Sequence, residues 1–122
     1  MQVLEHVHSG VVILELTGRL TVETEAELKN AVRRQLEAGR AQLVLDLARV
    51  PYIDSCGLGT MVQAYVSAGR AGGFLKLLNV NSRNRHLLTI THLTEVLETY
   101  VQEEAAERSV GERGSPWQTS FV

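Results

Sequence analysis

The segment richest in chemistry is Tyr52-Ile53-Asp54-Ser55-Cys56-Gly57-Leu58-Gly59, between a short apolar run and a strongly periodic stretch. A serine at the start of a helix is placed to cap the first free N–H groups. Asp54 can share that task, because a carboxylate is favoured at the positive end of a helix. The same position makes Ser55 a good acceptor for a phosphoryl group. Helix N–H groups and the helix dipole stabilise an added anion there, and Gly57 and Gly59 let a partner's backbone approach. The two readings are compatible, since one hydroxyl can serve both. Cys56 is the single cysteine, and its thiol is expected to pack as a small apolar group.

Other residues could do chemistry only with help the sequence lacks. His6 and His8 alternate on one face of a strand, as two metal ligands would, but no carboxylate or Cys at ligand spacing completes the set. No metal is expected. Ser55 is not framed as a Gly-x-Ser-x-Gly elbow and no His follows in a triad context, which argues against a hydrolase and against an enzyme at all. Gly69-Arg70-Ala71-Gly72-Gly73 lacks the Lys-Ser/Thr of a phosphate-binding loop and reads as a helix stop and turn. Arg83, Arg85 and His86 form a small basic cluster. It is a solvated face or, if it lies near Ser55, a contact for acidic partner residues or an added phosphate.

The elements that must position these residues follow from periodicity. Val3–His8 and Val11–Leu16, joined by Ser9-Gly10, read as an antiparallel hairpin. Leu28, Val32 and Leu36 make the stripe of an amphipathic helix that ends at Gly39, with Thr24 and Glu27 spaced for a capping box. Leu43–Leu47 is a buried strand, and Pro51 breaks the pattern after it. Leu58, Met61, Val62, Tyr65 and Val66 match a second helix, closed by Gly69 through Gly73. Phe74–Leu78 is a further strand. Ser82 is placed to cap a third helix bearing Leu87 and Ile90, and Val96–Tyr100 supplies a last strand. Gln102–Arg108 reads as a short polar helix.

Strands alternating with helices imply parallel pairing through crossovers. The expected fold is α/β: a single mixed sheet of four to five strands, the N-terminal one antiparallel and the rest parallel, with about four helices.

Composition narrows the function. The 122 residues suit one domain, and the formal net charge of −2 argues against a nucleic-acid grip. No apolar run approaches a membrane span, and the first nine residues do not read as a secretory leader. One cysteine fits a reducing, cytoplasmic setting. Through Gln102 the ten acidic side chains balance ten basic ones, so the acidic excess falls in the last twenty residues. The folding unit is therefore placed at residues 1–107, with 108–122 as a flexible tail. Trp117 and Phe121 in that tail are available to anchor a partner or a second copy in a homodimer.

The order of elements, together with Ile53-Asp54-Ser55-Cys56-Gly57-Leu58-Gly59, resembles the STAS domain of bacterial anti-sigma factor antagonists. Leu16-Thr17-Gly18-Arg19-Leu20, Leu43-Val44-Leu45-Asp46-Leu47 and Ala71-Gly72-Gly73 also look like that family, and the likeness spans about residues 3–107. It implies a partner-switching cycle. The unphosphorylated domain binds an anti-sigma factor that is also an ATP-dependent serine kinase, and the sigma factor is released. Phosphorylation of the serine matching Ser55 ends that binding, and a metal-dependent phosphatase restores it. The resemblance places Asp54, Ser55, Cys56, Gly57, Leu58 and Thr21 at the partner surface and implies no cofactor. Two positions depart from the family pattern. Thr21 stands where many members carry Asp, and Cys56 where Ser or Thr is common. Two other roles go with the same resemblance: a scaffold in a stress-signalling complex, or the soluble regulatory subunit of a lipid-transport ATPase.

Overall fold

Ser9 and Gly10 both adopt positive φ, 52° and 80°, as a two-residue hairpin turn between right-twisted strands requires. They join β1 (Gln2–His8) to β2 (Val11–Thr17) in antiparallel register, from Gln2 opposite Thr17 to His8 opposite Val11. This computed structural model describes residues 1–101; the expected helix over Gln102–Arg108 and the tail 108–122 lie outside the described residues. β3 (Gln42–Arg49), β4 (Phe74–Leu78) and β5 (Thr99–Tyr100) add in sequence order and run parallel to β2. Three α-helices make the connections: α1 (Glu25–Glu37), α2 (Ser55–Arg70) and α3 (Ser82–Ile90), the last followed by a 3₁₀ turn at Leu93–Glu95. The mixed five-stranded sheet agrees with expectation. Among the described residues there are three α-helices where about four were expected.

Side chains alternate across the strands. Val12, Leu14, Leu16, Leu43, Leu45, Leu47, Leu75 and Leu77 meet Leu28, Ala31 and Val32 of α1, Leu58, Met61, Ala64 and Ala68 of α2, and Leu88 of α3 in one core. Asn84, fully buried in α3, ties that helix to the β3 exit by donating Nδ2–H to the carbonyl of Val50 at 2.9 Å.

Several local expectations change. The inward stripe of α2 is Leu58, Met61, Ala64 and Ala68, while Val66 is 40% exposed. Alanines let α2 sit close to β4 and α1, and that rotation carries Val66 outward. Ile90, at the last turn of α3, is exposed. The last strand is only two residues long, because the 3₁₀ turn precedes it and sends Leu97 into the core. Thr24 makes no cap. Its hydroxyl donates to the Arg19 carbonyl at 2.6 Å and accepts from the Thr21 N–H at 2.9 Å, so the loop has taken it. The N-cap of α3 is Asn81, whose side chain accepts from Asn84 N–H, instead of Ser82.

Candidate functional site

The loop after β2 and the loop after β3 are stitched together, and α2 starts from the seam. Leu20 N–H donates to the Tyr52 carbonyl at 2.9 Å, and Asp54 N–H donates to the Leu20 carbonyl at 3.1 Å, so Leu20 and Ile53 form a short parallel bridge. Asp54 is extended (φ −96°, ψ −178°) and caps α2. One carboxylate oxygen accepts from Gly57 N–H at 2.8 Å and the other from Val22 N–H at 3.1 Å. A single side chain thus holds the helix start and the neighbouring loop. The Gly57 N–H bond is the main reason its carboxyl sits below the ordinary carboxylate pKa, with smaller help from the Val22 and Cys56 N–H groups and Arg19; desolvation opposes.

This assignment corrects the expectation for Ser55. Asp54 is the cap, and Ser55 is the first helical residue, exposed, with a hydroxyl that makes no hydrogen bond among the described residues. Cys56 is exposed as well, so its thiol does not pack as expected. Gly57 and Leu58 are buried beneath them. Gly57 is required by contact: a Cβ there would press into the Leu20 carbonyl oxygen and lie 2.8 Å from Leu20 Cγ. At Gly59 a Cβ would meet nothing within 4 Å.

At Asp54, beside the start of α2, lies a cleft of about 420 Å³ lined by Arg19, Thr21, Val22, Glu23, Thr24, Tyr52 and Asp54 itself. The fold therefore brings Thr21 to the same cleft as Asp54, 33 positions away in the chain. The basic cluster divides. Arg83 joins the site: its guanidinium lies 3.9 Å from the centroid of the Tyr52 ring and donates to the Ile53 carbonyl at 3.4 Å and Asn84 Oδ1 at 3.0 Å. The guanidinium of Arg19 lies over the same ring at 4.7 Å. Arg85 instead donates to the Val80 carbonyl. Sequence reasoning missed the roles of Arg19, Tyr52 and Arg83 in this stack. They come from two loops and the first turn of α3, and no spacing rule links them. His6 pairs with Glu15 across the hairpin at 3.3 Å, and no group of three or more His, Cys, Asp and Glu forms among the described residues.

The STAS domain family model matches residues 3–106. The chain belongs to the STAS domain family. This STAS chain is 28% identical over 101 residues to the anti-sigma F factor antagonist of Paenibacillus polymyxa, covering 82% of this chain and 86% of that one. Its structure is similar to the crystal structure of the Thermotoga maritima protein TM1081, with a TM-score of 0.86, 28% identity, and coverage of 90% of this chain and 95% of that one. It also shares its fold with the Bacillus cell fate determinant SpoIIAA in the phosphorylated form, with a TM-score of 0.69 at 19% identity, covering 88% of this chain and 98% of that one. Among the described residues no helix is long and apolar enough to cross a membrane.

Proposed function

We propose that this STAS chain is a cytoplasmic anti-sigma factor antagonist switched by phosphorylation at Ser55. The observation that carries the reading is the division of labour at the start of α2. Asp54 holds the helix cap, and the Ser55 hydroxyl is left exposed, with no hydrogen bond among the described residues. A phosphoryl group can be added there without dismantling the helix.

In this reading the unphosphorylated domain binds an anti-sigma factor serine kinase through Asp54, Ser55, Cys56, Gly57, Leu58 and Thr21. Arg19 and Arg83 on the Tyr52 ring extend that surface and meet acidic side chains of the partner. The kinase supplies ATP and Mg²⁺. The Ser55 oxygen bonds to the γ-phosphorus, the bond to ADP breaks, and the hydroxyl proton departs. The product carries about −1.5 to −2 charges where the interface met a neutral hydroxyl, and the interface is lost through repulsion and desolvation. A metal-dependent phosphatase restores the neutral form. The chain itself is substrate and binding module, with no catalytic residue of its own. Relatives named as antagonists and a neighbour of the same fold solved in a phosphorylated form support this reading.

The test is incubation with the cognate kinase, ATP and Mg²⁺, followed by peptide mass spectrometry. A phosphoryl group on Ser55 that disappears in Ser55→Ala is expected. An unmodified wild-type chain, or modification that persists in Ser55→Ala, overturns the proposal.

A further inference from the structure

Arg19 and Arg83 flank the start of α2 with most of their donors unused. Arg83 donates only through Nη1, to the Ile53 carbonyl and Asn84 Oδ1, so its Nε–H and Nη2 groups have no acceptor among the described residues. The Arg19 guanidinium makes no hydrogen bond or ion pair among them, only its contact with the Tyr52 ring. Both guanidiniums lie on that one ring, so two like charges sit within about 9 Å of each other, close to one Debye length at physiological salt. Stacking steadies the two planes and leaves their N–H edges open. The nearby carboxylates do not pair with them. Asp54 is committed to the Gly57 and Val22 N–H groups, and Glu23, which lines the same cleft, forms no ion pair among the described residues. Both arginines converge on the segment that bears Ser55. Arg83 reaches the carbonyl of Ile53, two residues before Ser55, and two residues span at most about 7 Å of chain. Arg19 precedes Leu20, whose carbonyl accepts from the N–H of Asp54, the residue next to Ser55.

We propose, resting on the phosphorylation of Ser55 argued above, that Arg19 and Arg83 of the same chain clasp the phosphoryl group once it is in place. Each turns an open N–H edge onto phosphate oxygens, the geometry in which a guanidinium binds phosphate best. The phosphate carries about −1.5 to −2 charges and stands next to the Asp54 carboxylate. Two guanidiniums offset most of that local excess, which the exposed start of one helix does not do alone. The switch then acts in a second way besides repulsion. The phosphate occupies, within its own chain, the two guanidiniums that meet the partner's acidic side chains, so modification removes the partner's positive contacts as it adds negative charge.

The test uses the full chain with phosphoserine installed genetically at position 55, so it does not depend on finding the kinase. Phosphorus NMR follows the second ionisation of the phosphate in this chain and in one that also carries Arg19→Gln and Arg83→Gln. The ionisation is expected about one pH unit or more higher in the double variant, because two cations that favour the dianion are gone. Asp54, Glu23, Arg85, His86 and the first N–H groups of α2 are the same in both chains, so their influence cancels. Equal ionisation overturns the proposal. The guanidinium Nε–H signals give a measurement that needs no arginine variant. Those of Arg19 and Arg83 are expected to shift on phosphorylation, while those of Arg33 and Arg34 on α1 stay in place. Arg19 and Arg83 signals that do not move overturn the proposal as well. Failure of the cognate kinase to modify Ser55 overturns the functional reading alone, whereas equal ionisation or unmoved signals overturn the clasp alone.

Discussion

Substituting alanine at Gly57 and, separately, at Gly59 places the same methyl group two residues apart on one helix and should give opposite results. In a helix interior, Gly→Ala is worth about 0.8–1 kcal/mol of stabilisation through propensity. At Gly59 nothing lies within 4 Å of the added Cβ, so that gain should be realised. At Gly57 the Cβ would press into the Leu20 carbonyl oxygen and lie 3.0 Å from its carbon. The Leu20 side chain could rotate away, but the carbonyl cannot, because it accepts the Asp54 N–H and anchors the seam between the two loops. Overpacking costs about 1–3 kcal/mol in general, and a clash with backbone that cannot move falls in the upper part of that range, about 2–3 kcal/mol. After subtraction of the propensity gain, Gly57→Ala should be destabilising by about 1–2 kcal/mol, whereas Gly59→Ala should stabilise by up to about 1 kcal/mol. For a domain near 100 residues each kcal/mol moves Tm by about 4–8 °C, so the two variants should be separated by about 8 °C or more. Urea unfolding followed by circular dichroism measures both, with an unchanged m-value as the check that the denatured state is the same. If Gly57→Ala is as stable as wild type, or if Gly59→Ala is the weaker of the two, the close approach of α2 to Leu20 is not what constrains this helix start.

Other outcomes follow from the same geometry. Ser55→Glu should weaken binding to the partner kinase roughly a hundredfold, equivalent to about 3 kcal/mol, while thermal melting stays near wild type; calorimetric titration against Ser55→Ala checks it. Arg83→Glu reverses a charge on the Tyr52 ring and should weaken the same binding, with less salt dependence in the remaining affinity than wild type shows. The carboxyl of Asp54 has a folded pKa below the ordinary 3.8. Its contribution is therefore fully present above that ordinary value and is lost as pH falls through the lower folded one. Asp54→Asn should flatten the acid limb of the stability curve below about pH 4, as read by denaturant midpoints across pH 2–6. Asn84→Ala leaves the Val50 carbonyl with only the longer 3.4 Å bond from Asn81 Nδ2 and should cost about 1 kcal/mol in urea unfolding.

Much of the fold was legible in the sequence because burial writes itself as periodicity. The hairpin turn at Ser9-Gly10, the apolar runs of β3 and β4 and the stripe on α1 all read correctly from spacing and turn chemistry. Of the expected α2 stripe, Leu58 and Met61 are buried and Tyr65 packs against the core, whereas Val66 faces outward. Val66 scores as apolar in any window, but small Ala64 and Ala68 were the residues that let the helix settle on the sheet. Caps were the least legible feature. Asp54 and Ser55, like Asn81 and Ser82, are adjacent capping types, and only backbone dihedrals decide which side chain reaches back to the free N–H groups.

The site divides along the same line. Sequence alone determined that Asp54-Ser55-Cys56-Gly57 sits at a strand-to-helix junction, because those residue types at that boundary have few other uses. It also determined the family likeness, later matched over residues 3–106. Only the tertiary structure decided that Asp54 caps while Ser55 stays exposed, and that Thr21 shares a cleft with Asp54. The meeting of Arg19 and Arg83 on one Tyr52 ring was decided there as well. The physical reason is that periodicity reports which side of an element faces the core. It carries nothing about which loops come together once parallel strands stack and bring their ends to one edge of the sheet.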